Sequence, residues 1–277
     1  TLFGRNTTGG VINVRHSTPT GELGLKYELV AGTDDRADAR AVLNFPIIKD
    51  KLAGKFGFAT MQDGGQAKNG LTGDQVGDYD NTEYTATLLW TPADNFDALF
   101  IYTNYEDQND GVPLYNRADT TDVACLFGFC PTGDVETTFQ DYYEGIDFQL
   151  DAYSLEMNWE LKYGTISSVS GYRETDESVP TDFDATPISL LHVLREQDSE
   201  QTSTELRFAS NEELSENWDF VVGAYYLTDN YQLQQYSSVV EVLGTAPDGT
   251  GAVYQKTYTD HERDTYSAFG EIHYNFM

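Results

Sequence analysis

The sequence predicts an all-β protein that forms part of a transmembrane antiparallel β-barrel. Three observations on its 277 residues lead to this fold class. Long segments alternate apolar and polar residues, as strands do when their two faces meet different surroundings. The connections between these segments alternate between short and long, and each tryptophan lies beside a short one. Barrels in outer membranes have short turns at one end and long loops at the other.

About ten strands follow from the period-two pattern. One of the clearest is YSLEMNWEL, whose second face carries serine, glutamate and asparagine. Its first face carries Tyr153, Leu155, Met157, Trp159 and Leu161. A soluble sandwich with one solvated face would give the same alternation, so the pattern alone leaves both architectures open. The strands are expected near residues 22–32, 36–47, 52–62, 81–91, 96–106, 150–161, 165–175, 199–210, 218–229 and 264–276.

The connections distinguish the two architectures. After the second, fourth, sixth and eighth strands they are short: IKDK, TPADN, LKYG and SNEELSEN. After the third, fifth, seventh and ninth strands they are roughly 18 to 44 residues long, and structureless loops of that length are uncommon in soluble domains. Only GTDDR, after the first strand, departs from the alternation. This layout favours an outer-membrane barrel.

The three tryptophans agree with the layout. Trp90 precedes TPADN, Trp159 precedes LKYG and Trp218 follows SNEELSEN. Tryptophan prefers the boundary between membrane and water, so we expect the three side chains to form one girdle at the short-turn end. The alternative is that they are buried core residues.

Charge and hydropathy exclude some classes of protein. The formal net charge is −30, and so acidic a chain repels nucleic acid, which leaves no reason to expect a nucleic-acid partner. Hydrophobic residues make up 39% of the chain, enough to bury a sizeable surface. No apolar run reaches the length of about 18 residues that a transmembrane helix needs, whereas a membrane-spanning strand needs only about 9–11 residues.

The cysteines form one close pair, Cys125 and Cys130, in the segment ACLFGFCP. A single pair without a nearby histidine is a poor zinc site. We expect a disulfide that holds a loop tip in an oxidising compartment, and the alternative is two free thiols.

The long connection 107–149 is the most informative loop, because it combines acidic residues with an apolar tip. The loop contains one basic residue, Arg117, and these acidic residues: Asp107, Asp110, Asp119, Asp122, Asp134, Glu136, Asp141, Glu144 and Asp147. An acidic rim around an apolar loop tip attracts ligands with cationic or aromatic character. The alternative is a solvated acidic loop that keeps the surface soluble or bridges divalent ions in lipopolysaccharide.

Candidate ligand-binding residues follow from this loop and from the tyrosines. They are Leu126, Phe127 and Phe129 between the cysteines, Tyr142 and Tyr143 further along, and Tyr231 with Tyr236 in NYQLQQY.

No catalytic constellation is present in the sequence. The four histidines are scattered, and neither a GxSxG elbow nor a phosphate-binding glycine loop occurs. DQNDG at 107–111 departs from an EF-hand loop because Gly111 comes one position early, so we interpret it as a turn. We therefore expect no enzyme, no cofactor and no metal site.

The opening stretch, TLFGRNTTGGVINV, resembles the end of the plug domain of TonB-dependent outer-membrane receptors. The residues that carry the resemblance are Gly4, Arg5, Gly9, Gly10 and Asn13, with the short apolar strand around Asn13. NFPIIKDKLAGKFGF, LLWTPADNFDA and STELRFAS are similar to the first barrel strands of that family, in the same order. The resemblance implies that residues 1–20 are the last segment of a plug. Residues 21–277 would then be the first ten or so strands of a barrel of about 22.

Inside such a barrel, Arg5 needs a partner, because an unpaired buried charge is costly. Three carboxylates are expected to face inward, namely Glu156, Glu205 and Glu271, and Glu205 is the favoured partner. Alternatively, Arg5 donates to backbone carbonyls.

The chain is expected to be an excerpt of a longer protein. It begins at Thr1 without an initiator methionine or a signal segment, and GEIHYNF near its end looks like a tenth strand. An open segment of ten strands exposes its edges, so we expect that it does not fold as a stable monomer in water.

The resemblance implies TonB-dependent uptake of a scarce ligand across the outer membrane of a Gram-negative bacterium. Ferric siderophores are the usual cargo in that family, with vitamins and oligosaccharides also common. The implied partners are TonB, outer-membrane lipid, lipopolysaccharide and the cargo. Two alternatives remain: a passive porin or surface adhesin, and a soluble β-domain that binds carbohydrate. Partitioning into lipid would separate the soluble domain from the others.

Overall fold

The structure is a computed structural model that describes residues 15–116, 125, 128–130, 136–142, 145–215, 217–238 and 253–274. Thirteen strands are formed by these residues. No helix within the described ranges has the length and hydrophobicity that crossing a membrane requires. Several residues with expected roles lie outside the described ranges: Gly4, Arg5, Gly9, Gly10, Asn13, Leu126, Phe127 and Tyr143.

Ten strands build one antiparallel sheet. They are β1 (Gly24–Ala31), β2 (Ala37–Ile48), β3 (Leu52–Asp63), β6 (Tyr79–Ala93), β7 (Phe96–Asn109), β9 (Ile146–Leu161), β10 (Gly164–Asp182), β11 (His192–Ser210), β12 (Trp218–Ser238) and β13 (Val253–Tyr274). Each strand pairs with the one before and the one after it in this series, so the sheet is a simple meander. All ten expected strands are present in the expected order, which confirms the all-β fold class.

A second, small sheet forms within the connections. Its strands are β4 (Ala67–Asn69), β5 (Gln75–Val76) and β8 (Thr137–Thr138). β4 pairs antiparallel with β5 and parallel with β8, where Lys68 lies opposite Thr137. The sequence did not predict this sheet, because strands of two or three residues carry no periodic pattern.

Two of the expected long connections are wrong in length. β10 continues to Asp182 and β11 begins at His192, so most of the expected loop 176–198 is strand. β12 likewise continues to Ser238 and β13 begins at Val253, which leaves 239–252 as the connection. The strands continue because their backbones stay paired, for example Glu177 opposite Gln197. Both faces are polar there, so side-chain alternation gave no sign of a strand.

The middle of the large sheet has one apolar face, which lies between two rows of aromatic side chains. Cross-strand register places these apolar residues on the same face: Phe56, Leu88, Phe100, Leu155, Met157, Leu206, Val222 and Ile272. At one end lie Trp90, Phe96, Trp159, Trp218 and Tyr274; at the other lie Tyr84, Tyr102, Tyr153, Tyr172, Tyr226 and Tyr266. Trp159 follows Tyr153 by six positions along β9, which is about 20 Å of extended chain.

The tryptophans occupy the end of the sheet with the short turns, as the sequence predicted. Trp90 and Trp159 are each 48% exposed and Trp218 is 51% exposed. Side chains so exposed are not core residues, so the alternative of three buried tryptophans is wrong. Trp218 packs against Tyr274 of the next strand, with ring centroids 4.7 Å apart.

Beyond the tyrosine row, the same face changes from apolar to acidic. We call this region the acidic zone; it contains Asp151, Glu174, Asp176, Asp198 and Glu200. Asp176 lies directly opposite Asp198. Burial and the neighbouring Asp198 raise the pKa of Asp176 above its usual value. Charges packed this densely require water, so the tyrosine row marks the end of the apolar surroundings.

The opposite face of the sheet carries polar residues such as Asn44, Lys55 and Glu156 beside apolar ones such as Leu99. We call it the polar face, and the segment that precedes β1 lies against it. Lys55 is buried and donates its ammonium group to the carbonyl and the hydroxyl oxygen of Ser17. The backbone N–H of Thr20 donates to Asn44 Oδ1 across 3.1 Å. These contacts attach residues 17–20 to β2 and β3.

Candidate ligand-binding site

Three connections at the tyrosine end of the sheet converge into one unit, which we call the loop cluster. They are residues 64–78, 110–145 and 183–191. The parallel pairing of β4 with β8 joins the first to the second. A hydrogen bond from Asn116 Nδ2 to the carbonyl of Asp184 joins the second to the third, across 3.3 Å.

A buried polar network fixes the inside of the loop cluster. Asn69 donates its side-chain amide to the carbonyl of Gln140 across 3.0 Å. Gln140 Oε1 accepts from the backbone N–H of Leu114 at 2.8 Å and from the Thr138 hydroxyl at 3.1 Å. Asn69, Thr138 and Gln140 are all buried, so breaking any of these bonds leaves a polar group without water.

An apolar cavity of about 370 Å³ lies beside this network. Its volume is at the lower end of the range for small-molecule sites. Gly70 brings the backbone against Phe139: a Cβ at this position would lie 2.5 Å from the phenyl ring. The wall draws on all three connections, through Leu71, Tyr115, Phe129, Phe139 and Pro187.

The cysteine pair holds one wall of this cavity. Cys125 and Cys130 are joined by a disulfide, and Cys130 and Phe129 both line the cavity. Phe129 is 37% exposed, so its ring is available at the cavity surface. Of the three apolar candidates between the cysteines, Phe129 is the one that the structure describes.

Tyr142 belongs to a second group of residues in the loop cluster, centred on His192. The Tyr142 ring stacks on the imidazole with centroids 4.6 Å apart and planes 13° apart. His192 Nε2 lies 2.7 Å from Asp141 Oδ1. Burial opposes protonation of the imidazole, but Asp141, with Asp182 beyond it, outweighs burial and raises the pKa of His192 above 6.5.

Asp182, the last residue of β10, is the third titratable residue of this group, after His192 and Asp141. It has no exposed surface and accepts backbone N–H groups from Asp141 at 2.9 Å, Ala185 at 2.8 Å and Asp184 at 3.1 Å. Burial and the charge of Asp184 raise the pKa of Asp182 to about 6, although the N–H donors act in the opposite direction.

Tyr231 and Tyr236 lie apart from the cavity, on β12. The Tyr231 ring packs at a tilt against His261 of β13, with centroids 5.2 Å apart and planes 38° apart. The neighbouring pair across the strands is Asp229 with Arg263. The Tyr236 ring has the ammonium group of Lys256 at 4.6 Å from its centroid. The structure therefore does not bring these tyrosines together with Phe129.

The carboxylates expected to face inward, Glu156, Glu205 and Glu271, share one face of the sheet with Lys55. Glu205 is opposite Val169 and Tyr225, and Glu156 is opposite Leu99 and Val169. Pairing with Arg5 remains a prediction, because Arg5 lies outside the described residues.

Sequence reasoning missed the residues that join the connections. Leu71, Phe139 and Pro187 line the cavity from separate parts of the chain, and no motif links them. Nor did it find the group of Asp141, Asp182 and His192, whose carboxylate and imidazole ligand atoms lie within 4.8 Å of one another and are suited to hold a metal ion. Scattered along the sequence, the histidines gave no sign that one of them lies beside two carboxylates.

Comparisons with known proteins indicate the same architecture. No model of a known protein family matches the sequence. The fold is similar to the ferric yersiniabactin uptake receptor from Yersinia pestis, with a TM-score of 0.61 and 13% identity over 95% of this chain and 46% of that one. It is similar to the siderophore receptor PiuA from Acinetobacter baumannii, with a TM-score of 0.64 and 12% identity over 92% of this chain and 41% of that one.

A third similar structure is FpvA of P. aeruginosa bound to a heterologous pyoverdine and iron. The TM-score is 0.63, with 11% identity over 94% of this chain and 36% of that one. The chain thus spans less than half the length of these three structures. At such low identity, the similarity shows a shared fold.

Proposed function

We propose that the chain is part of a TonB-dependent receptor that takes up a scarce ligand across the outer membrane of a Gram-negative bacterium. The observation that carries this proposal is the apolar face bounded by two aromatic rows, with structured connections gathered at one end. A sheet that crosses a bilayer has this arrangement, since aromatic girdles lie at both interfaces. The fold similarity to uptake receptors supports the same conclusion.

In this function, the apolar face contacts lipid and the polar face lines the lumen. The tryptophan row then lies at the periplasmic interface and the tyrosine row at the outer one. The acidic zone, above the tyrosines, lies at the depth of the lipopolysaccharide head groups, where divalent ions can bridge carboxylates and phosphates.

A plug inside the lumen is the second part of the proposal. Residues 1–20 would be its last segment, and the contacts from Lys55 and Asn44 to residues 17–20 fasten its exit to the polar face. TonB would act on the plug from the periplasm and open a path. The polar face supplies Glu156 and Glu205 as partners for Arg5.

The cargo would bind first at the loop cluster. Its cavity is walled by aromatic and aliphatic side chains and accepts an apolar or aromatic group of the ligand. We propose a ferric siderophore, in keeping with the siderophore receptors that share the fold. Vitamins and oligosaccharides are the alternatives that an uptake assay would distinguish.

Two other functions fit the described residues less well. A soluble carbohydrate-binding domain would not expose Leu206 at 54% and Trp218 at 51% on one continuous face. A passive porin or adhesin needs no segment fastened inside the barrel, whereas residues 17–20 lie against the polar face.

Uptake in the source bacterium tests the proposal. A strain that lacks the full-length gene should fail to grow under iron limitation with one ferric siderophore as the iron source, and the gene should restore growth only when TonB is present. Growth restored without TonB would favour a passive porin. If the protein is absent from the outer-membrane fraction, the membrane proposal fails as a whole.

A further inference from the structure

We propose that Asp141, Asp182 and His192 bind one divalent transition-metal ion of the zinc class, which clamps the second connection of the loop cluster to the third. Carboxylate and imidazole ligand atoms from the three residues lie within 4.8 Å of one another. Zinc is bound by imidazole nitrogen and carboxylate oxygen at about 2.0–2.2 Å, so small side-chain shifts bring all three atoms onto one ion.

Local charge is the first reason to expect a cation. Asp182 is fully buried, and Asp184 lies two residues further along the same connection. Among the described residues, His192 is the basic side chain that forms an ion pair with this group, through Asp141. Buried carboxylates normally pair with cations or coordinate metals, because an uncompensated buried charge is costly.

The hydrogen bonds leave the ligand atoms that an ion requires. Asp182 Oδ1 accepts the N–H groups of Asp184 and Ala185, whereas Oδ2 accepts one N–H group from the described residues, that of Asp141. An ionised carboxylate oxygen has two lone pairs, so Oδ2 retains one. The backbone donors also fix the orientation of the carboxylate, as outer hydrogen bonds do in metal sites.

The imidazole is held in a suitable orientation as well. Ser189 Oγ lies 3.4 Å from His192 Nδ1, and Tyr142 stacks on the ring, so Nε2 faces Asp141. A ligand set of one nitrogen and carboxylate oxygens favours zinc, cobalt, nickel or copper over magnesium and calcium, which prefer oxygen alone.

An ion here acts on the cavity without lining it. Asp182 immediately precedes the connection 183–191 and His192 immediately follows it, so both ends of the connection would be tied to Asp141. That connection supplies Ala185 and Pro187 to the cavity wall. Binding therefore reduces the motion of this wall.

Calorimetry on the full-length receptor, purified in detergent and stripped with chelator, tests the site. One Zn²⁺ ion per chain should bind, and its binding should depend on His192. Co²⁺ in place of Zn²⁺ should give the absorption bands of a low-symmetry complex. His192→Ala should weaken binding about a hundredfold or more, given that loss of a mere supporting residue costs 10–100-fold. His261→Ala, at a histidine remote from the site, should bind as the unmodified protein does.

Hydrogen exchange locates the effect. Zn²⁺ should slow amide exchange in residues 183–191 of the unmodified receptor and leave it unchanged in His192→Ala. Asp141→Asn should lose Zn²⁺ binding as well. Because it retains the size of the side chain, it shows that the loss of binding does not come from misfolding of His192→Ala. Zn²⁺ affinity that is equal in all four proteins, or no Zn²⁺ binding at all, would overturn the site. Neither result bears on uptake, which the growth assay measures separately.

Discussion

The hydroxyl of Tyr102 on β7 donates a hydrogen bond to the carboxylate of Asp151 on β9 across 2.6 Å. Two other tyrosines of the same row make the equivalent bond, Tyr172 to Glu174 on the same strand and Tyr226 to Asp264 on the next, each across 3.0 Å. The rings lie beside the apolar face and the hydroxyl groups point to the acidic zone. A tyrosine at a membrane interface has this arrangement, with an apolar body and a wet tip.

A charge on the apolar face should therefore destabilise the folded protein in the membrane. We expect Leu155→Lys to destabilise the full-length protein by about 2–4 kcal/mol, the cost of lysine near the bilayer midplane. The free energy of unfolding from lipid vesicles, measured by urea titration, checks this value.

The adjacent residue is the matched control. Ser154 lies on the polar face, opposite Ile101 and Gly171, so Ser154→Lys should change stability by less than about 1 kcal/mol. Equal destabilisation by the two lysines would contradict the assignment of the faces.

The apolar face and its strands could be predicted because a sheet with one apolar and one more polar face imposes alternation on every strand. The pattern is lost beyond the tyrosine row, where water surrounds both faces and residues such as Asp176 and Glu177 succeed one another. The upper halves of β10 to β13 are held by backbone pairing, which residue types do not reveal. The sequence therefore predicted the strand segments with an apolar face better than it predicted where the strands end.

The candidate site was only partly predictable for a related reason. Phe129 stood out because two cysteines flank it. Its neighbours Leu71 and Phe139 come together through the parallel pairing of Lys68 with Thr137, a contact between distant parts of the chain. His192 and Asp141 are likewise brought together by the ends of β10 and β11. Such contacts depend on tertiary packing and leave no local pattern.

The pair of Asp78 and Asp110 predicts a pH-dependent loop junction. Burial, together with the charge of the neighbouring Asp78, raises the pKa of Asp110 to about 6. The Asp78 carboxylate accepts the Asp110 backbone N–H at 2.7 Å. An acid whose pKa is higher in the folded state stabilises that state at low pH and loses this contribution as pH rises through about 6. The junction should therefore open more readily at pH 8 than near pH 4.

Asp110→Asn removes the charge and keeps a donor for Asp78. At pH 8 we expect it to stabilise the junction by about 1 kcal/mol, after allowance for screening by water, which corresponds to about fivefold slower amide exchange in residues 110–116. Near pH 4 the variant and the unmodified receptor should exchange alike. Asp74→Asn, at an exposed position of the first connection, is the control and should show no such pH dependence.

Charge reversal should identify the partner of Arg5. In the full-length receptor, Arg5→Glu would place a carboxylate among the carboxylates of the polar face and loosen the plug, so that cells admit vancomycin, which intact barrels exclude. Glu205→Arg in the same chain should restore resistance by re-forming the pair with opposite sign. Glu156→Arg should not restore it. Restoration by the Glu156 change alone would transfer the pairing to that residue.

The disulfide should matter for ligand binding and not for membrane insertion. Replacing Cys125 and Cys130 together with serine releases the tip that carries Phe129, so the cavity wall becomes mobile and the ligand must order it on binding. We expect the KM for the ferric siderophore identified by the growth assay to rise about tenfold, with an unchanged amount of receptor in the outer membrane. Phe129→Ala should give a similar increase, whereas Val112→Ala, at a residue 75% exposed and outside the cavity, should not. An unchanged KM in both Phe129→Ala and the cysteine variant would mean that the ligand binds elsewhere in the receptor.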